Sequence, residues 1–418
     1  MSVDVRTRNT GAAAVVDPAV FWADDWAEAL EAHGARAAAD AEHLGLAPLT
    51  IRVDGDARTL TPRDGRIDAV AGAEAALAVG LDRAAFTDLV LERRTALGLA
   101  VAGRVEGDGV ANQMFCAWDP VLRSVLDGRA VYRPGDVALH ALDGTDLALD
   151  QEFRLGEDPQ AAAHFLAETG FMLLREVFTG AEMAAIDDDL SRAVEAARPD
   201  DGTSWWAATS EGVQYPCRIL DFAQQSGHLR RRFGDDRYLA IGQILDDGHA
   251  PGDPFGEHFS EVTAEGLVKR VGSVEGLACL PWHKDCERGG HSMFCCGITI
   301  GICLTPVDEA HGGLDVVAGS HRSNIARTQF DAGLDLPTVE LRAARGDVTV
   351  HLSCTLHRST HPRRTERRVA YSGFALPPRP GDRSDAVDRS VLARQRAELA
   401  GGQERAGFLA APKPDRSA

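Results

Sequence analysis

The sequence predicts a mixed α+β chain in two parts, a small helix-first domain and a larger strand-rich one. Three observations carry this. From Pro18 to about Leu46, alanine-rich sequence with Phe21, Trp22, Trp26, Leu30 and His33 near helical spacing reads as an amphipathic helix. After it, Leu49-Thr50-Ile51-Arg52-Val53 alternates as a strand, with hairpin signals at Asp54-Gly55 and Asp64-Gly65. Far downstream, Val348, Val350, Leu352, Cys354 and Leu356 alternate with Thr349, His351, Ser353, Thr355 and His357, which predicts one strand with a core face and a polar face.

Composition bounds the function. The 418 residues suffice for two cores, and 44% hydrophobic with 26% charged residues is the balance of a soluble protein. No apolar run approaches the length of a bilayer span, and Met1-Ser2-Val3-Asp4-Val5-Arg6 does not open a secretory signal, so a cytoplasmic location is expected. A net charge of −19 argues against nucleic acid or an anionic membrane as partner. None of the eight cysteines is in Cys-x-x-Cys spacing, which argues against a disulfide framework or zinc module; Cys295, Cys296 and Cys303 read as reduced core residues.

Residues 1–15 carry no periodic signal and are expected to be a loose terminus. The first domain is placed at 16–131. Beyond its hairpins, Asp82 caps an expected helix through Val90, and Val101 to Asp108 reads as a short strand and turn. Residues 132–158, with Pro134-Gly135 and Asp143-Gly144, are expected to be a linker. The second domain, 159–380, opens with a strand at Phe171-Met172-Leu173-Leu174. Thr179-Gly180-Ala181-Glu182 then forms a capping box for a helix with Met183, Ile186, Leu190 and Val194 on one face. Trp205, Trp206, Tyr215 and Phe222 read first as packing residues, with a substrate pocket as the alternative. Phe294 to Leu304 has one bulky apolar face and one of Cys, Gly, Thr, Gly and Cys; turned into a barrel, the small face leaves volume for a substrate or co-substrate. Residues 381–418 are expected to form a charged helix and a polar tail.

The chemistry centres on Leu280-Pro281-Trp282-His283-Lys284-Asp285. In an extended strand His283 and Asp285 share a face, so an imidazole and a carboxylate converge. His357 is a candidate third ligand, and His351 competes because it has the same parity. Two histidines and one carboxylate with open positions are the set used by non-haem Fe(II) oxygenases. Arg363, Arg364, Arg367 and Arg368 crowd before the strand-like Val369 to Phe374, where a guanidinium would grip an anionic co-substrate bidentately. His291, His311, His321 and His361 read as loop or rim residues.

These pieces, in this order, resemble the phytanoyl-CoA dioxygenase family of Fe(II)/2-oxoglutarate oxygenases from about residue 160 to 378. Phe165 to Leu174 resembles the family's opening segment, His283-Lys284-Asp285 its His-x-Asp, and Gly312-Gly313-Leu314 through Gly319-Ser320-His321 its Gly-Ser-His segment. Gly346-Asp347, Leu356-His357-Arg358-Ser359 and Arg367-Arg368 match its distal histidine and co-substrate arginine. Ala318, where the family usually has proline, and His361-Pro362 depart from the pattern. The resemblance implies a double-stranded β-helix of the jelly-roll, cupin-like type with flanking helices. It implies His283, Asp285 and His357 as the metal ligands, Arg368 with Arg367 second for 2-oxoglutarate, and Ser359 as a further co-substrate contact. The implied cofactors are Fe(II), 2-oxoglutarate and dioxygen, with hydroxylation of an unactivated carbon as the leading outcome. Asp285 fills the position that a halogenase leaves to chloride.

Between Leu46 and about Gly128, the helix, the hairpins, Asp82-Arg83-Ala84-Ala85-Phe86-Thr87-Asp88-Leu89-Val90 and Gly103-Arg104-Val105-Glu106-Gly107-Asp108 resemble the sterol carrier protein type two family. That implies a lipid-carrier-like α+β fold and hence a hydrophobic small-molecule substrate, in secondary metabolism or as an acyl-CoA. A lipid-binding protein with a silent oxygenase scaffold is the competing reading. No nucleic acid and no integral membrane segment are expected, and a homodimer is left open.

Overall fold

A computed structural model describes residues 15–376 apart from 73–74, 200, 253–262, 275–277, 287–292 and 294–296. The helix and tail expected from 381, together with His291, Cys295 and Cys296, lie outside the described residues.

Strand β1 (Leu49–Val53) forms a meander with β2 (Asp56–Arg63) and β3 (Arg66–Ala71) and pairs in parallel with β4 (Ala78–Leu81), giving the order β3-β2-β1-β4. Asp54 and Asp64 both take positive φ at the hairpin turns, as the Asp-Gly signals require. The long helix Trp26–His43 runs from a π-helical turn, Phe21–Asp25; the rings of Phe21, Trp22 and Trp26 meet one another, and Phe21 and Trp22 also meet Phe86. Asp82 caps Arg83–Val90 as expected. The strand expected from Val101 to Asp108 is not formed. Val101 ends the helix Ala96–Val101, and only Glu106 bridges to Gly80. The next element, helix Gly109–Asp127, runs through Pro120 and buries Phe115, Trp118, Val121 and Val125.

The second domain begins with helix Pro159–Thr169. Gly170 ends it at φ +80°, where a Cβ would lie 2.4 Å from His321 Nδ1 and 2.5 Å from Thr355 Oγ1. Strand β5 (Phe171–Leu174) follows, and then helix Gly180–Ala196 with its capping box intact. The remaining strands are β6 (Ser204–Ala208), β7 (Gln214–Ile219), β8 (Ala250–Pro251), β9 (Glu265–Lys269), β10 (Gly297–Cys303), β11 (Leu314–Val317), β12 (Thr338–Leu341), β13 (Val348–Leu352), β14 (His357–Ser359) and β15 (Arg367–Ala375). The larger sheet is antiparallel in the order β5-β13-β10-β15-β9-β7-β6, with β8 on β15. The smaller has the order β12-β11-β14. Residues of both sheets share one buried core, in the manner of a jelly roll.

The period-two run from Val348 to His357 is therefore not one strand. It turns after Leu352, with Thr355 N–H donating to the Leu352 carbonyl, and passes from β13 of the larger sheet to β14 of the smaller. The expected linker is also packed: Phe153 bridges Leu174 and stacks on Phe165, and Tyr132 N–H donates to the Asn324 carbonyl at 2.9 Å.

Candidate active site

His283 and His357 exchange both backbone hydrogen bonds, at 3.0 and 2.9 Å, so the His283 segment lies along the free edge of β14 and the two rings stand 4.2 Å apart. Each Nδ1 points at a carbonyl two residues away, Pro281 at 2.7 Å and Thr355 at 2.9 Å. The proton belongs on Nδ1 in both, leaving each Nε2 a lone pair turned inward. Asp285 Oδ1 lies 3.4 Å from His283 Nε2 and 3.8 Å from His357 Nε2, and one atom from each of the three residues falls within 4.8 Å of the others. Burial, with His283 and His351 close by, holds the His357 imidazole well below its ordinary value. Burial alone would raise Asp285, but the facing imidazoles outweigh it and keep the carboxyl ionised. The result is two buried imidazoles whose Nε2 atoms face one buried, ionised carboxylate.

The sequence left His351 competing with His357. The turn between β13 and β14 puts them on different sheets, although their rings stand 4.3 Å apart. His351 stays on the larger sheet, with Nε2 3.4 Å from Asp285 Oδ2, and Thr299 Oγ1 donates to that same oxygen at 3.3 Å. Oδ2 is thus the supported oxygen and Oδ1 the one left toward the two Nε2 atoms.

Arg367 and Arg368 point to opposite faces of β15, as adjacent residues of a strand must. Arg368 turns outward onto helix Gly180–Ala196, where it bonds Asp187 at 3.0 Å, Ser191 at 2.7 Å and its neighbour Glu366 at 2.7 Å. This corrects the ranking that put Arg368 first, since its guanidinium is already committed on the far side of the sheet. Arg367 is buried between the sheets and donates to Ser359 Oγ and the Gly313 carbonyl, while its Nε meets no partner.

Lys269, which the sequence did not single out, pairs with Arg367 across β9 and β15 and is fully buried. Its Nζ donates to Ser359 Oγ and to the Thr360 carbonyl at 3.1 Å. Burial first, and the Arg367 charge second, lower Lys269 to about 7. Among the described residues neither cation has a carboxylate partner, so two positive groups share one serine in the interior. A second missed feature fills the small face of β10. A Cβ on Gly301 would lie 2.7 Å from Thr349 Oγ1 and 3.3 Å from the Tyr371 ring, so the expected empty volume there is occupied by these side chains. Of the expected rim histidines, His311 bonds Asp308 and His361 meets Cys279 Sγ at 3.1 Å, whereas His321 is buried against the Ala167 carbonyl.

Residues 166–370 match the family model described as Phytanoyl-CoA dioxygenase (PhyH). This stretch is similar to PhyH family domains. No curated protein matches the chain. Among solved structures it is similar to AviO1 from Streptomyces viridochromogenes Tue57, at 22% identity and a TM-score of 0.41 over 53% of this chain and 98% of that one. It is also similar to the non-haem alpha ketoglutarate dependent epimerase SnoN from nogalamycin biosynthesis (16%, 0.39, 52% and 83%) and to EctD from S. alaskensis with bound Fe (17%, 0.41, 58% and 82%). The cofactors of the PhyH domain are Fe(II) and 2-oxoglutarate, and the trio His283, Asp285 and His357 has the donor set that fits this metal. The orphaned Nε of Arg367 and the unneutralised Lys269 fit a carboxylate of the co-substrate. Among the described residues no helix is long and apolar enough to cross a membrane.

Proposed function

We propose that the chain is a non-haem Fe(II)/2-oxoglutarate-dependent oxygenase that hydroxylates an unactivated carbon of a hydrophobic small molecule, in secondary metabolism. The observation that carries this is the convergence of His283, Asp285 and His357 beside a second, purely cationic pocket of Arg367, Lys269 and Ser359. In this reading His283 Nε2, His357 Nε2 and Asp285 Oδ1 hold the metal. When bound, Fe(II) and 2-oxoglutarate together supply the activation of dioxygen and the oxidising equivalents. Arg367 receives the distal carboxylate of the co-substrate, Lys269 adds a second charge, and Ser359 Oγ orients both cations. The buried interior keeps water from these charges and strengthens their hold.

The hydrophobic substrate rests on the resemblance of the N-terminal domain to the sterol carrier protein type two family. The alternative, a lipid-binding protein with a silent scaffold, is disfavoured because ligands, carboxylate support and anion pocket are all intact.

The test is anaerobic addition of Fe(II) and 2-oxoglutarate to the purified protein, read by visible absorption. A weak charge-transfer band, lost in Arg367→Ala at limiting co-substrate and retained in Arg368→Ala, is expected. No band at saturating iron and 2-oxoglutarate would overturn the proposal.

A further inference from the structure

Cys286 and Cys354 stand where the two ligand-bearing segments cross. We propose that they are a peroxide-formed disulfide site whose closure acts on Asp285. Cys286 directly follows Asp285, and Cys354 lies three residues before His357. The segments run antiparallel through the His283 and His357 bridge. Each cysteine is three residues on from its histidine, in opposite directions along the chain, so the two remain opposite one another. Beside them, Cys286 N–H donates to the Ser353 carbonyl at 3.1 Å. The Sγ atoms are 2.7 Å apart as thiols, about 0.7 Å beyond the length of a disulfide bond. Cys354 is completely buried and Cys286 is 4% exposed, which admits a small oxidant sooner than a bulky alkylating reagent.

The chemistry balances with hydrogen peroxide as the oxidant. One thiol takes up an oxygen to become a sulfenic acid as the O–O bond breaks and water leaves. The second sulfur then displaces that hydroxyl as a further water and the S–S bond forms. The two thiols supply two electrons and two hydrogens, and the peroxide is reduced to two waters. Drawing the sulfurs together pulls on the residue beside Asp285, whose Oδ2 is held independently by Thr299 and His351. The carboxylate is thus moved relative to the two imidazoles. Only this consequence at the metal rests on the proposed function; the bond itself does not.

The experiment treats the full-length, metal-free protein with rising hydrogen peroxide, alkylates it under denaturing conditions and maps its peptides without reduction. The expected result is a Cys286–Cys354 linked peptide, two hydrogens lighter than its parts, which forms before other cysteines are modified and disappears with dithiothreitol. Cys354→Ala is expected to give no linked peptide and to bind Co(II) as the untreated protein does. The linked protein is expected to bind Co(II) roughly tenfold or more weakly. Oxidation of other cysteines while Cys286 and Cys354 remain alkylatable would overturn the proposal, and unchanged Co(II) affinity in fully linked protein would overturn its action on Asp285. Peptide mapping needs no turnover, so failure here is distinguishable from failure of the oxygenase reading.

Discussion

Lys269 carries a cost that only an anion repays. Its folded pKa of about 7 lies below the ordinary 10.5, so the folded protein binds this proton less firmly than the unfolded chain does. The penalty is complete below about pH 7 and fades as pH rises toward the unfolded value. Lys269→Met is therefore expected to melt at or above the wild-type temperature at pH 6 in apo thermal denaturation, and a clearly lower melting temperature would contradict the sign. The same substitution is expected to weaken 2-oxoglutarate binding by roughly ten- to hundredfold, in line with the loss of a buried charge contact. In the wild type the co-substrate dissociation constant should rise as pH passes above 7 and the ammonium is lost, whereas in Lys269→Met it should be flat; calorimetric titration at several pH values distinguishes these. A parallel contrast holds on β15. Arg367→Ala is expected to raise KM for 2-oxoglutarate by about two orders of magnitude, since it leaves Lys269 alone. Arg368→Ala, which loses partly exposed ion pairs to Asp187 and Glu366 and a hydrogen bond to Ser191, is expected to cost about 1 kcal/mol of stability and to leave KM near wild type. Steady-state kinetics on the pair decides between them.

At the scale of elements, the alternation that revealed β13 and β14 concealed the turn between them. Both halves of the run are buried, so the period of two survives a change of sheet, and the shared parity of His351 and His357 said nothing of the different sheets that carry them. His283 and Asp285 could be paired from the sequence because the His-x-Asp spacing is local, whereas His357 came from the family resemblance; the three side chains lie together. The arginine was not, because Arg367 and Arg368 both open a strand buried on its two faces, and only the partner strands reveal which face holds the site. Lys269 sits in a short strand without a motif, and register with Arg367 is what brings it in. Helix Gly109–Asp127 was hidden by Pro120, which reads as a breaker, although its apolar residues recur at helical spacing on both sides. The β10 and β13 pair makes its own expectation. Thr299 and His351 are register partners that support one oxygen of Asp285. Thr299→Val keeps the shape and removes the donor, so Co(II) affinity is expected to fall roughly tenfold while the thermal midpoint moves little. An unchanged affinity would show that Thr299 does not hold the carboxylate.

For the whole molecule, the two domains meet directly behind the site. Lys284, between His283 and Asp285 of the proposed metal site, donates to the carbonyls of Ser320 and Ser323 at 2.8 and 3.0 Å. The next residue, Asn324, donates to the carbonyls of Pro120 and Arg129 in the first domain and accepts from Tyr132 N–H. Gln329 adds a bond to the Tyr132 carbonyl, and Tyr132 packs with Val317, Ile325, Phe330 and Leu356. A contact this continuous makes the first domain part of the support for the metal segment rather than a tethered module, and it predicts one cooperative unit. Calorimetry of the full chain is expected to give a single transition whose van't Hoff and calorimetric enthalpies agree. Asn324→Ala leaves two carbonyls without their donor, at a cost of about 2 kcal/mol, and is expected both to lower the transition temperature and to weaken Co(II) binding at the distant trio. Two well-separated transitions in the wild type, or a destabilised Asn324→Ala protein with wild-type metal affinity, would show that the domains stand independently and that the Lys284 connection does not reach the site.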